Sequence, residues 1–153
     1  MENFVIRDAV LEDLETLLYF EQGIISYERP YDETLDKDPI NYYNLRELIL
    51  DETTKIVVAE IDAKVVGSGF AQVRNGKPYL RHEVYAYLGF MYTDPNYRGK
   101  GVNKRIIEEL KEWSLAKGIK EIRLTVYSDN DSAIRAYEKV GFAKHLIEMR
   151  IPE

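Results

Sequence analysis

Thr93-Asp94-Pro95-Asn96-Tyr97-Arg98-Gly99-Lys100-Gly101-Val102-Asn103 is the stretch on which the reading of the fold turns. Upstream, Glu83 to Thr93 is β-prone and aromatic, with Val84, Tyr85, Tyr87, Phe90 and Tyr92. Downstream, Val102, Ile106, Ile107, Leu110 and Trp113 recur at helical spacing, and the run stops near Gly118. The stretch therefore joins a strand to an amphipathic helix through a glycine-bearing turn. Backbone N–H groups at a helix start lack intrahelical partners, and the helix dipole adds partial positive charge there. Glycine lets that backbone approach an anion without a Cβ in the way. Such a turn suits a pyrophosphate, with Arg98 and Lys100 adding cationic contacts. Taken alone, it serves equally as a plain tight turn with two solvated cations.

Two better-known phosphate motifs do not fit. A P-loop needs Gly-Lys followed by Ser or Thr, and Lys100 is followed by Gly101. A dinucleotide fingerprint needs a third glycine three residues beyond Gly101, where Lys104 stands.

Working outward, Phe4–Ile6 reads as a short strand. Asp8 is placed to cap a helix carrying Leu11, Leu14, Leu17 and Leu18 through Phe20. Residues 23–38 read as irregular, and a second helix is expected after Pro39, with Tyr42, Leu45, Leu48 and Ile49 on one side. The period then changes. Ile56–Ile61 and Val65–Val73 read as antiparallel strands around Asp62-Ala63-Lys64, and Asn75-Gly76 marks a turn. Beyond Gly118 come a strand at 122–127, a helix from Ala133 to Val140 ending at Gly141, and a last strand from Leu146 to Ile151. The order βααβββαβαβ predicts one mixed α/β domain, residues 1–153, built around a single sheet.

Composition narrows the function classes. The chain has 153 residues and no cysteine, which removes disulfides, thiolate metal sites and a cysteine nucleophile. With His82 and His145 the only histidines, a histidine-rich metal centre is excluded too, and no metal is expected. A net charge of −6 argues against a nucleic-acid partner and mildly favours a cationic one such as an amine. The N-terminus lacks the basic and apolar regions of a signal peptide, and no apolar run reaches the roughly 20 residues that span a bilayer. No membrane partner is expected, and the cytoplasm is the expected location.

Residues 96–101, Asn-Tyr-Arg-Gly-Lys-Gly, preceded by Asp94-Pro95, resemble the acyl-CoA pyrophosphate loop of the GNAT acetyltransferase superfamily, Gln/Arg-x-x-Gly-x-Gly/Ala. Asn96 departs from that pattern. A second block, Asn130-Asp131-Ser132-Ala133 followed by Ala136-Tyr137-Glu138-Lys139-Val140-Gly141-Phe142, is similar to the superfamily's Asn-x-x-Ala and Ala-Tyr-Glu-Lys-x-Gly-Phe. By itself that block reads as a capped helix with a core tyrosine. Both blocks occur in the family's order, a helix and a strand apart.

The resemblance implies a GNAT-like, largely antiparallel sheet with helices on both faces. It implies transfer of acetyl from acetyl-CoA to a primary amine, on a small molecule or a protein, by direct attack in a ternary complex. It places Arg98, Gly99, Lys100, Gly101, Val102 and Asn103 around the pyrophosphate, and Met91, Tyr92 and Thr93 along the pantetheine. Tyr137 matches the general acid, Asn130 a side chain that contacts the cofactor or a water, and a backbone N–H near Met91 the oxyanion donor. Strand alternation puts Glu83, Tyr85, Tyr87, Gly89, Met91 and Thr93 on one face, which makes Glu83 a candidate base. In this fold the acceptor pocket would take Tyr27, Glu28, Arg29 and Tyr31, with Glu28 for an ammonium, Arg29 for a carboxylate, and Tyr85 and Tyr87 along the tunnel. The segment reads equally as a solvated loop with two aromatic anchors, and the aromatic run as filling of the sheet. A non-catalytic acyl-CoA-binding domain is the alternative, a nucleotide or phosphate module a third reading, and a homodimer is compatible with either of the first two.

Overall fold

The computed structural model of the protein describes residues 3–153. Five strands form one sheet in chain order: β1 (Phe4–Asp8), β2 (Thr54–Ile61), β3 (Lys64–Asn75), β4 (Val84–Thr93) and β5 (Ile122–Arg123). The first four pair antiparallel; β2–β3 and β3–β4 are joined by short connections, whereas residues 9–53 separate β1 from β2. β5 joins parallel to β4 through Ala86–Ile122 and Tyr87–Arg123. A parallel pair needs a crossover, and α3 (Val102–Ala116) supplies it. The other helices are α1 (Leu14–Glu28), α2 (Leu45–Leu50) and α4 (Asp131–Lys139). The class is the predicted one, a mixed and largely antiparallel sheet with helices on both faces.

Period-two alternation divides the core. Val57, Ala59 and Ile61 of β2 meet Val102, Ile106, Ile107 and Leu110 of α3 on one face. Ile56 and Val58 point the other way, to Leu17 and Phe20 of α1 and Leu45 of α2. Tyr137, Val140 and Phe142 pack on the α3 face. At the β2–β3 hairpin Ile61 pairs with Lys64, leaving Asp62 and Ala63 at φ +51° and +68°. Both central residues of a type I′ turn require positive φ, and that turn matches the twist of its strands.

Five elements differ from expectation, and the first is β5, which stops at Arg123 instead of running to residue 127. α1 runs eight residues past Phe20 and straight through Gly23, where a Cβ would come within 2.8 Å of the Tyr92 ring. There the glycine lets the helix lie against β4, with Tyr92 stacked on Phe20 at 4.3 Å. Asp8 ends β1 rather than capping the helix. Asp13 stands at the start of α1, but its carboxylate turns back to accept the Val10 N–H at 2.8 Å and pairs with Arg7 at 2.9 Å, so no side chain caps the helix among the described residues. Tyr42 precedes α2 instead of lying on it, because the fully buried Glu21 accepts the N–H groups of Tyr42 and Tyr43, each at 2.9 Å. Finally, residues 146–151 form no strand, and their side chains stand exposed.

β4 also carries an irregularity that the sequence pattern hides. Ser68 pairs with Tyr92 but Phe70 with Gly89, so Phe90 and Met91 together oppose Gly69. This is a β-bulge, with Phe90 at φ +57°. The Tyr43 ring packs edge-on against Phe90 at 5.7 Å, and Ser68 Oγ donates to the Phe90 carbonyl at 3.0 Å. The extra residue reverses the alternation. Leu88 and Met91 lie on the α3 face, while Tyr87, Phe90 and Tyr92 lie on the α1 face. The single face expected from Glu83 to Thr93 is therefore broken at Phe90.

Candidate active site

The loop between β4 and α3 is tied down at its start and open at its end. Asp94 donates its N–H to the Val66 carbonyl at 2.7 Å, and its own carbonyl accepts the Tyr97 N–H at 2.8 Å. Its carboxylate accepts the Asn96 N–H at 2.9 Å, which closes a 3-10 turn over Pro95–Tyr97. Lys64 braces the turn, 3.7 Å from Asp94 and 5.3 Å from the Tyr97 ring centroid. Beyond it Arg98 is extended, and Gly99 and Gly101 take φ of +80° and +79°. Gly101 precedes α3 directly, and no side chain caps that helix among the described residues. A Cβ at Gly99 or Gly101 would meet nothing within 4 Å. The first-turn N–H groups at Val102 and Asn103 are thus left without helical partners beside open space, with exposed Arg98 and Lys100 next to them. That arrangement fits a pyrophosphate and its backbone-led recognition.

β4 and β5 pair only as far as Tyr87 and Arg123. Beyond that point Leu124–Tyr127 leaves the sheet, so Gly89–Thr93 has no neighbour on that side. The Tyr87 and Thr125 hydroxyls, 2.7 Å apart, close the base of the gap. Tyr137 approaches from α4, its ring edge-on to Phe142 at 6.0 Å. Burial pushes its phenol up to about 12, with Glu28 and then Tyr87 and Tyr27 adding to the shift. A side chain packed on the α3 face thus feels a carboxylate from the end of α1.

Glu28 is the hub on that side. Its half-buried carboxyl is raised by desolvation and by Asp32, against the stabilising hydroxyl of Tyr42 beside it. That hydroxyl, itself buried, completes no hydrogen bond among the described residues. The same carboxylate helps to raise the phenols of Tyr43 and Tyr127, for both of which burial is the larger cause. Tyr127 donates to Asp32 at 2.6 Å and stacks on Tyr31 at 6.2 Å, and Tyr31 lies 5.9 Å from Tyr27. Tyr27 donates to Asn130 Oδ1 at 3.4 Å, the oxygen that also caps α4 through the Ala133 N–H at 3.3 Å. Tyr27, Glu28, Tyr31, Tyr87, Asn130 and Tyr137 are thus brought together around one gap. Tyr42, Tyr43, Thr125 and Tyr127 join them, and sequence patterning had singled out none of these for the site. Their approach depends on contacts between elements far apart in the chain; the one local signal was the density of tyrosines.

Three expected residues fall away from this cluster. Glu83 is exposed in the turn before β4. Met91 lies eight positions further along the chain, about 25 Å at the usual rise, so Glu83 cannot act as a base there, directly or through one water. Tyr85 packs instead against His82, at 6.2 Å, and under the Arg123 guanidinium, at 5.2 Å. Arg29 binds the Asp36 carbonyl at 2.8 Å and Asp38 at 2.6 Å, so it braces its own loop and is withdrawn from the role of carboxylate ligand. The side chains of Met91 and Tyr92 are packed into opposite faces, and their backbone alone borders the gap. Among the described residues there is no group of three metal-ligand side chains, and no helix is long and apolar enough to cross a membrane.

Comparison with known proteins agrees with this geometry. An acetyltransferase of Pectobacterium atrosepticum is 35% identical over 102 residues, which cover 61% of this chain and 67% of that one. An acetyltransferase of Sodalis glossinidius is 37% identical over 86 residues, about half of either chain. The thialysine N-epsilon-acetyltransferase of Sus scrofa is 28% identical over 154 aligned residues, 97% of this chain and 88% of the relative. Among solved structures, a Bacillus halodurans protein superposes with a TM-score of 0.88 at 19% identity, covering 97% of this chain and 99% of that one. A predicted acetyltransferase of Clostridium acetobutylicum, solved with acetyl-CoA, gives 0.75 at 15% identity, covering 99% and 96%. These two likenesses concern the fold. The model of the acetyltransferase (GNAT) family matches residues 13–142, nearly the whole of the loop, gap and tyrosine cluster just described, and the chain belongs to that family.

Proposed function

We propose that the protein transfers the acetyl group of acetyl-CoA to a primary amine, with both substrates bound at once. The observation that carries this reading is the hydrogen bond from Tyr27, at the end of α1, to Asn130, which caps α4, at 3.4 Å; it draws the segment that bears Glu28 and the helix that bears Tyr137 to the gap beyond the β4–β5 pairing. The donor's pyrophosphate fits the backbone of Arg98–Asn103, and its pantetheine fits the unpaired edge at Met91-Tyr92-Thr93. The thioester supplies an activated acyl carbon. The remaining work belongs to the chain. The bulge turns backbone near Met91 towards the gap as a candidate donor to the carbonyl oxygen, where negative charge develops. The amine lone pair forms the C–N bond as the C–S bond breaks. Tyr137, kept protonated at neutral pH, donates to the departing sulfur, and the amine's surplus proton leaves on the acidic side lined by Glu28. No cysteine is available for an acyl-enzyme, which favours direct attack.

On the acceptor side, Glu28 and Asp32 lie within a wall formed by Tyr27, Tyr31, Tyr42 and Tyr127. Such a pocket attracts an ammonium-bearing molecule, and similarity to a thialysine N-epsilon-acetyltransferase supports nitrogen as the acceptor atom. Replacing Glu28 by Gln keeps the shape and removes the charge. We expect the acceptor KM to rise about 10- to 100-fold while the acetyl-CoA KM stays within about twofold, as when one partner of a partly desolvated charge pair is lost. The readout is initial rates with each substrate varied in turn. An acceptor KM indifferent to this change would remove Glu28 from the pocket.

A further inference from the structure

Glu21 is fully buried in α1, and nothing in the proposed chemistry uses it. Its Oε2 accepts the N–H groups of both Tyr42 and Tyr43, each at 2.9 Å. Its Oε1 is buried too and has no hydrogen-bond partner among the described residues. A carboxyl in the interior with one idle oxygen costs stability that an apolar side chain of similar size would not. Packing alone therefore does not account for a glutamate here. What the carboxyl does, and a leucine could not, is hold two backbone N–H groups of a segment without regular structure, residues 40–44. The neighbouring Gln22 grips the same segment, donating to the Ile40 carbonyl at 2.9 Å.

Glu21 and Glu28 lie seven residues apart on α1, two turns along one face and about 10.5 Å by helical rise. Tyr42 spans that interval. Its N–H is held at Glu21, and its buried hydroxyl stands beside the Glu28 carboxyl, whose charged form it stabilises. Tyr43, held by the same Glu21 oxygen, packs edge-on against Phe70 at 5.3 Å and Phe90 at 5.7 Å, which fastens the segment to the sheet. Glu21 and Gln22 fasten it to α1, the helix that carries Glu28. They thereby set how far the Tyr42 hydroxyl reaches towards that carboxyl.

We propose that Glu21 is a positioning residue for the acceptor: by holding the Tyr42 N–H it fixes the Tyr42 hydroxyl against Glu28, and so orients the carboxylate that receives the ammonium group. Glu21 touches neither substrate. The inference rests on the reading of Glu28 as the acceptor's carboxylate, and it gives the unpartnered Tyr42 hydroxyl a role in the same pocket.

Two variants separate the hold from the charge. Glu21→Gln keeps an oxygen for both N–H groups and removes the charge. Glu21→Asp keeps the charge and draws the oxygens back by one methylene. The readouts are initial rates with each substrate varied in turn and amide hydrogen exchange at Tyr42 and Tyr43. Glu21→Asp should raise the acceptor KM about 10-fold, with kcat and the acetyl-CoA KM within about threefold, and should speed exchange at both amides. Glu21→Gln should leave all of these within about twofold of the wild type. Tyr42→Phe should also raise the acceptor KM about 10-fold, and should add nothing in the Glu21→Asp background, because the two act through one hydroxyl. Effects that multiply would overturn the proposal. So would a Glu21→Gln variant as impaired as Glu21→Asp, since the buried charge would then be the cause. Wild-type amides at 42 and 43 that exchange at unprotected rates would overturn it even if Glu21→Asp does not fold. An acceptor KM that shifts with Glu28→Gln but not with Glu21→Asp would sink this proposal alone; one that shifts with neither would take the pocket with it.

Discussion

Tyr137→Phe should lower kcat by about 10²- to 10⁴-fold, the usual worth of a positioned acid, while acetyl-CoA affinity and thermal stability stay nearly unchanged. The structure separates chemistry from folding at this position. The ring is edge-on to Phe142 and packs on the α3 core, contacts that phenylalanine preserves. The hydroxyl makes no hydrogen bond among the described residues, so its removal leaves no buried partner stranded. Its environment also sets the pH dependence. Burial first, and Glu28 second, push the phenol up to about 12, so the acid form persists across the working range. The acceptor must lose a proton to react, and a lysine-like amine does so near 10.4. The rate should climb with pH through neutrality, with no fall assignable to Tyr137 until about pH 11. A wild-type profile that turns down near neutrality, with the downturn absent in Tyr137→Phe, would mean that the phenol titrates far lower than its burial implies.

Gly101→Val should abolish measurable CoA binding in a protein that still folds. At φ +79° a β-branched residue carries a backbone penalty of about 1–3 kcal/mol, small against the 5–15 kcal/mol stability of a typical domain. A Cβ at this position meets nothing within 4 Å in the protein, and the valine side chain projects into the space beside the α3 N–H groups. Gly118 is the natural control. It has φ +78° and equally open surroundings, but it lies beyond the other end of α3. Gly118→Val should therefore show a similar loss of stability with CoA binding intact. Calorimetric titration of both variants separates strain from occlusion. Equal losses of affinity in the two would make the effect one of helix strain, and the loop would lose its place as the donor site.

The parts that could be read from the sequence were those in which local chemistry and fold agree. The hairpin at Asp62-Ala63, the amphipathic α3 and the glycine stops at Gly118 and Gly141 all follow from neighbours in the chain. The rest depended on distant packing. Gly23 looks like a helix end until Tyr92 is laid against it. The bulge at Phe90 has no local signature, because its contacts are the Tyr43 ring and the Ser68 hydroxyl from other elements. Missing it put Glu83 and Met91 on one face and made a base of an exposed turn residue. Glu28, by contrast, was visible as an acidic residue among tyrosines, while its closeness to Tyr137 required the folded chain. The apolar alternation at 146–151 reads as a strand, yet the structure forms none there, because among the described residues no neighbouring strand pairs with it.

The central claim is that the donor loop and the tyrosine-lined acidic pocket serve one reaction. Release of CoA thiol from acetyl-CoA, followed against a panel of primary amines, tests it most directly, and the chain contributes no thiol of its own to the signal. Release is expected to be slow without an amine and to accelerate saturably with amines that carry a second cationic group, with acetylated amine formed in equal amount. CoA that binds tightly while no amine accelerates thiol release would contradict it and leave an acyl-CoA-binding domain without catalysis.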